Sequence, residues 1–354
     1  MKNILFIILA LLCIKRTEAQ RVDLDRFNFS VSYRDFPENP LPDTYKTYSI
    51  RIEAAPSLGL GYTAQNFADD IQIDGLRKVE GTGHVTILLM MDDIIFEKTE
   101  KKERVQTTKD KQGNEVKKSF FSTELVYSFA ARMSVYDYKG NTLLSNRVFF
   151  DRNNKRTFKT PESATIADAD NYYSNKSSDI RASLARQLTT GVVSQAAAWL
   201  NDQYGYPVRR NNDILWILNN KRHPSYKDQQ KAWNDFKNAI VLINENEPLD
   251  KAKEKFNPVI AYFEKVKKIY TATDKESRKM RYASYFNLAK IYIYLDEPEK
   301  ALVEADALSM NDYDEKDGRY LRSMAESLSE KLRKNNADTR HFVVDADHYD
   351  PPVK

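Results

Sequence analysis

Apolar positions recur at every second residue in several stretches of the N-terminal half, and at every third or fourth residue in the C-terminal half. Residues 20–44 carry Pro37, Pro40 and Pro42 close together, which forbids regular helix and predicts an extended lead-in. Residues 45–53 alternate, with Tyr48, Ile50 and Ile52 on one face, and predict a strand. A loop at 56–61 and a short helix and strand within 65–80 follow. Gly59 and Gly61 read as turn glycines, because a nucleotide fingerprint needs a third glycine and a preceding apolar strand. The turn Gly81-Thr82-Gly83 leads into residues 84–96 (HVTILLMMDDIIF), a run so continuously apolar that it predicts a central strand buried on both faces. Residues 97–118 mix Lys, Glu and Thr around a turn composition at 110–114, which predicts a long solvated hairpin arm. A second hairpin is expected over 120–138 and 142–151, and the strands together predict a mostly antiparallel sheet.

After a polar connection at 153–177, Ile180, Leu184, Leu188, Val192, Ala196, Trp199 and Leu200 mark a helix over 178–204. Ser177 or Ser178 can cap it, and Gly205 with Pro207 stops it. Its apolar stripe must cover a surface, and the sheet is the surface available, so residues 45–205 predict an α+β domain. From Arg209 the signals read as helical, beginning with a short apolar segment at 213–219 that His223-Pro224-Ser225 ends. Trp233, Phe236, Ile240 and Ile243 mark a helix over 226–243. Residues 249–256 and 257–270 read as two helices, Asn257-Pro258 starting the second; one kinked helix is the alternative. Residues 318–334 form a last amphipathic helix with a polar outer face that suits a cap, and 335–354 predict a disordered tail.

Residues 282–308 resemble one repeat of the tetratricopeptide family. Tyr285 occupies the early aromatic position of the first helix, Leu288 and Ala289 the large-small pair, Tyr292 the next large position and Ala301 the small position of the second helix. Asp296 with Glu299 resembles a capping box. Ala305 and Leu308 depart from the usual sizes, and the closing proline is missing. Residues 233–256 are a weaker second candidate. The resemblance implies an all-α domain over 209–334 that binds other proteins, behind an unrelated α+β domain. Fold class is therefore α+β: a mostly antiparallel sheet packed by a long helix, then a tetratricopeptide-like helical domain.

Charge narrows the partners. The chain has 354 residues with 55 basic and 51 acidic side chains, net +4, too balanced for nucleic acid. At the N-terminus, Lys2, an apolar run at 4–14 and Thr17-Glu18-Ala19 predict a signal peptide over 1–19, with the mature chain starting at Gln20. The one cysteine, Cys13, lies inside it and follows Leu12 rather than the small residue of a lipidation site. The mature chain would then lack disulfides, zinc-cysteine sites and thiol chemistry, which fits the envelope of a Gram-negative bacterium, in the periplasm or at the periplasmic face of the outer membrane. No other stretch is long and apolar enough to span a membrane, which leaves peripheral association.

Motifs for catalysis are missing: there is no nucleophile elbow, P-loop or paired-histidine helix. Asp92 and Asp93 are adjacent and point to opposite faces of a strand, so they form no dyad. Asp312, Asp314 and Asp317-Gly318 miss the calcium-loop spacing. His341, Asp345, Asp347, His348 and Asp350 could meet a metal only by ordering the tail. The expected function is an exported non-enzymatic scaffold that binds a protein, an accessory subunit of an outer-membrane or secretion assembly, with no cofactor, metal or small-molecule ligand. Tyr294 and the arm residues Lys101, Lys102 and Arg104 are the candidate contacts. A glycan-binding or glycan-processing periplasmic protein is the alternative; it requires an aromatic-floored pocket with paired acids.

Overall fold

The computed structural model describes residues 21–59 and 64–352. The expected signal peptide, Cys13, the start at Gln20 and Gly61 lie outside the described residues. The fold is mixed α+β, with sheets in the N-terminal half and helices mostly in the C-terminal half. It divides into two compact units: the residues up to Phe36 with Val208–Val344, and Pro37–Pro207 with the residues from Asp345 onward.

The second of these is a sheet unit. Strands β2 (Thr47–Ala54), β3 (Arg77–Lys78), β4 (Val85–Met91), β7 (Ala131–Asp137) and β8 (Thr142–Phe150) make a sheet of order β3-β2-β4-β7-β8. It is mixed rather than mostly antiparallel. β2 runs parallel to β3 and β4, because a crossover containing helix α1 (Ala64–Asp69) joins β2 to β4. In β4, Val85, Ile87, Leu89 and Met91 are buried, whereas Thr86, Leu88 and Met90 are half-buried. One face is thus closed and the other partly covered, a correction to the expectation of a strand buried on both.

The closed face meets α2 (Ile166–Tyr204) through Ile180, Leu184, Leu188, Val192, Ala196 and Leu200. This helix starts at Ile166 rather than Ser178. Thr165 caps it, its hydroxyl oxygen accepting from the Asp168 backbone N–H at 3.1 Å, and its first turns are mostly polar and exposed, with Ala169 buried and Asp170 paired to Lys101 of the neighbouring hairpin. A three-stranded sheet joins β5 (Ile95–Lys109), β6 (Glu115–Ser128) and β9 (Arg156–Lys159). β5 and β6 form a long hairpin whose turn is held by the Asp110 carboxylate, which accepts from the backbone N–H groups of Gln112 and Asn114, each at 2.9 Å. Asp92 and Asp93 sit between β4 and β5, Asp92 facing Arg152 at 3.4 Å and Arg132 at 3.8 Å. From Asp345 the chain belongs to this unit, and Arg77 donates to the Tyr349 carbonyl at 3.0 Å.

In the helical unit, the lead-in is a strand. β1 (Leu24–Arg34) pairs antiparallel with β10 (Val208–Leu218) along its whole length. The segment 213–219, read above as helical, is most of β10. The apolar run Ile214–Leu218 has no period of its own, and a partner strand distant in sequence decides its conformation. Phe29, Val31 and Leu215 are buried on the ribbon's inner face, where Phe29 meets Phe236 edge-on at 5.2 Å and Tyr294 at 5.6 Å.

Five helices follow: α3 (Tyr226–Ile240), α4 (Asp250–Ile269), α5 (Lys275–Tyr294), α6 (Pro298–Ser309) and α7 (Glu315–Lys334). Pro258 lies inside α4, so the single-helix alternative is the structure found; Phe256, Val259, Phe263 and Val266 bury one continuous stripe across the proline. Asn287 of α5 stands in for a strand neighbour of β10, accepting from the Trp216 N–H at 2.9 Å and donating to its carbonyl at 2.8 Å. The expected tail also differs: Arg340 and His341 are buried in this unit, held by contacts that hydropathy does not register.

Candidate partner-binding groove

One face of α7 and the end of the ribbon enclose an open groove of about 340 Å³. Tyr320, Met324, Ser327 and Lys331 project into it from α7 at helical spacing, while Leu321, Ala325, Leu328 and Leu332 of the same helix are buried. Ile293, Met324 and Leu328 give an apolar floor. Tyr33 and Asp35 close the ribbon side, where Lys331 pairs with Asp35 at 2.7 Å and Arg209 lies 3.6 Å from the same carboxylate.

Beneath the floor lies a buried polar network. Lys290 Nζ, on a side chain only 3% exposed, reaches Asp213 Oδ2 at 2.8 Å. The same ammonium lies 3.7 Å from Met324 Sδ and 5.2 Å from the Tyr320 ring centre. Tyr294 donates its hydroxyl proton to Asp213 Oδ2 at 2.5 Å and accepts from Asn211 Nδ2 at 2.8 Å. Burial, with the Asp213 carboxylate beside it, pushes the Tyr294 phenol well above its ordinary value. Tyr294, a candidate partner contact by sequence, is instead a core residue, because its hydroxyl completes the network under the floor.

A second buried network closes the groove's other end. Asp296, at φ +55°, follows α5 in the left-handed region that aspartate tolerates. Its carboxylate accepts from Arg340 Nε at 2.7 Å, from the Arg340 backbone N–H at 2.6 Å and from the Thr339 hydroxyl at 3.0 Å. Arg340 also donates to the Ile293 carbonyl at 2.7 Å, and its guanidinium stacks 4.1 Å from the Tyr33 ring centre. The capping box expected from Asp296 and Glu299 is therefore not formed: α6 begins at Pro298, and Asp296 is committed to the C-terminal segment.

His341 belongs to the same clasp. Its Nδ1 lies 2.7 Å from the Asn244 carbonyl, which can only accept, so Nδ1 carries the proton. Burial is the largest influence on its pKa and lowers it; Asp296, whose carboxylate is 3.7 Å from Nε2, pulls the other way. Burial likewise lowers His84 and His223. An unfolded chain takes up these protons near the ordinary value of about 6.5, before the folded chain does. Stability is thus complete above that value and falls as pH drops through it. The exposed His348, raised by Asp345, and the buried Glu304, raised by desolvation, act in the opposite sense. The variant His341→Asn keeps a donor toward Asn244 and removes the titration. Melting curves at successive pH values below 7 should show a flatter decline than wild type, by up to about 1.4 kcal/mol per pH unit.

The arm residues belong to the sheet unit, and the structure gathers them at the base of the β5–β6 hairpin. Lys101 pairs with Asp170 at 2.6 Å, and Lys102 with Glu100 at 3.1 Å and Glu124 at 3.7 Å. Arg104 makes a two-pronged contact with Glu162 at 2.9 and 2.6 Å and stacks 4.8 Å from the Phe120 ring centre. The guanidinium, with Lys159, lowers the Glu162 carboxyl to about 2. These three cations are therefore neutralised within the unit, a commitment that their spacing in β5 does not reveal. The cleft beside them, about 210 Å³, has Phe121, Ile166 and Ala169 in its wall but a single carboxylate, Glu103, short of the facing pair that glycan processing requires.

Other acids are engaged too: Asp312 pairs with Arg278 at 2.6 Å, Asp314 caps α7, and Asp317 accepts from the Tyr282 hydroxyl at 2.5 Å. Among the described residues, no cluster of three or more His, Cys, Asp or Glu is placed to hold a metal, and no helix is long and apolar enough to cross a membrane.

No protein-family model matches the chain, and no curated protein sequence matches it. A solved structure of a minor lipoprotein from Acinetobacter baumannii is 16% identical over 44% of this chain and 95% of that one. Its TM-score is 0.16, a likeness too distant to bear on function.

Proposed function

We propose that the chain is an exported, non-enzymatic scaffold of the bacterial envelope, and that its helical unit packs in a tetratricopeptide-like manner and holds a protein partner in the α7 groove. The groove carries this reading: an apolar floor of Ile293, Met324 and Leu328 is bordered by Tyr33, Tyr320 and an Asp35–Lys331 pair. Aromatic anchors beside a small apolar floor with a charged rim are the composition that protein interfaces favour. The antiparallel contacts of α5 with α6, and the burial of Leu288, Ala289, Ala301, Ala305 and Leu308, are consistent with a repeat-like pair. Export rests on the N-terminal pattern and on a mature chain without cysteine. A role as accessory subunit of an outer-membrane or secretion assembly follows from that compartment and from the docking groove.

The test uses the whole chain, since a fragment starting at residue 209 would lose β1. A photo-crosslinking residue placed at Tyr320 or Ser327 should capture one defined protein in cells, and the same residue at Val241, exposed on the α3 end, should not. Met324→Glu, which puts a charge on the apolar floor, should abolish that adduct. Equal labelling at all three sites, or none at Tyr320 and Ser327, would sink the proposal.

A further inference from the structure

The base of the hairpin arm neutralises its own charge, but its outer part does not. Beyond the Arg104–Phe120 pair, residues 105–118 hold four lysines, Lys109, Lys111, Lys117 and Lys118, against two acids, Asp110 and Glu115. All four lysines are exposed, and among the described residues none is drawn into an ion pair. The Asp110 carboxylate is occupied by the turn. Two aliphatic side chains are exposed among the lysines, Val105 at 54% and Val116 at 37%. Register places Val105, Thr107, Lys109, Glu115, Lys117 and Ser119 on one face of the hairpin, and Gln106, Thr108, Val116 and Lys118 on the other, so that lysines outnumber acids on both. Each face thus carries a valine and lysine charge, with Lys111 at the tip. This suits an approach by the end of the arm rather than by one side.

We propose that the outer arm is a contact for the surface of a bilayer carrying anionic phospholipid. The residue types separate this partner from others. Protein interfaces favour arginine and aromatic anchors and are poor in lysine, and residues 105–118 contain no arginine and no aromatic residue. Stacking on single-stranded nucleic acid needs aromatic side chains that this segment lacks. A lysine cluster beside exposed aliphatic groups matches an anionic headgroup layer: the attraction needs no defined geometry, and the valines enter the boundary beneath. The contact is additional to the helical groove and does not depend on it.

Sedimentation of the intact protein with phosphatidylglycerol-containing vesicles tests this directly, with pure phosphatidylcholine vesicles as the uncharged comparison. Wild type should bind only the anionic vesicles, and salt should weaken the binding. The variant K109Q/K111Q/K117Q/K118Q should bind them roughly a hundredfold to a thousandfold more weakly. The charge-matched variant K221Q/K251Q/K255Q/K275Q removes four exposed, unpaired lysines of the helical unit and should bind as wild type. V105S/V116S should weaken binding a few-fold even at high salt. All these side chains are exposed, and unchanged circular dichroism checks that each variant is folded. No binding of wild type to anionic vesicles, equal loss in the two lysine variants, or arm-dependent binding to duplex DNA or an acidic protein but not to vesicles would each overturn the proposal.

Discussion

Asp296→Asn should lower the melting temperature by roughly 10 °C, the largest effect expected from any single-atom exchange in the helical unit. Asparagine tolerates the left-handed backbone at this position, so the substitution leaves the φ of +55° unstrained and isolates the electrostatic change. It leaves Arg340, whose side chain is 8% exposed, without a counter-charge, and it sets an amide N–H₂ against the donors of Arg340 or Thr339. Breaking a buried pair from one side costs about 3–5 kcal/mol, and a unit of this size loses about 2–4 °C per kcal/mol. The segment around Thr339 and Arg340 should also become cleavable by protease before the rest of the unit unfolds, since the clasp ties it to the turn after α5. Circular-dichroism melts and timed proteolysis read both effects. A melting temperature within a degree or two of wild type would show that water already reaches the pair.

That clasp also shows what the sequence could and could not reveal. The continuous apolar run through Val85–Met91 and the stripe from Ile180 to Leu200 are local patterns, and they predict the strand and the helix that the structure contains. The alternation of Phe27, Phe29, Val31 and Tyr33 in β1 is regular, but Pro37, Pro40 and Pro42 beside it point to irregular structure. β10 lacks such a signal. Its apolar run becomes a strand only because β1 supplies backbone partners from the other end of the chain and Asn287 covers its far edge. The start of α2 at Ile166 is hidden for a different reason, as its first turns bury little beyond Ala169 and carry too few apolar residues to mark a stripe. The groove shared both difficulties. Tyr320 and Met324 were visible only as members of an amphipathic helix, whereas Tyr294 looked available until Asp213, on a strand read as helix, took its hydroxyl.

The network under the groove should behave as a unit when it is cut. Asp213→Leu is expected to cost about 3–5 kcal/mol, because it strands the Lys290 ammonium in the interior between Met324 and the Phe286 and Tyr320 rings. Lys290→Met should cost less. Asp213 then still accepts from Tyr294, and its side chain is more exposed, 11% against 3% for Lys290. The double variant Asp213→Leu with Lys290→Met should recover about half of the loss, since apolar groups of similar volume can replace a buried ion pair with little penalty. A residue of about 1–3 kcal/mol should remain, from a Tyr294 hydroxyl proton left without an acceptor. Adding Tyr294→Phe should remove most of that residue as well. A double-mutant cycle measured by denaturant unfolding gives the coupling directly, and a value near zero would mean that Asp213 and Lys290 act independently. The cycle has a functional reading as well: Lys290 supports Met324 and Tyr320 from below, so Asp213→Leu alone should weaken partner capture at Tyr320, and the double variant should restore it.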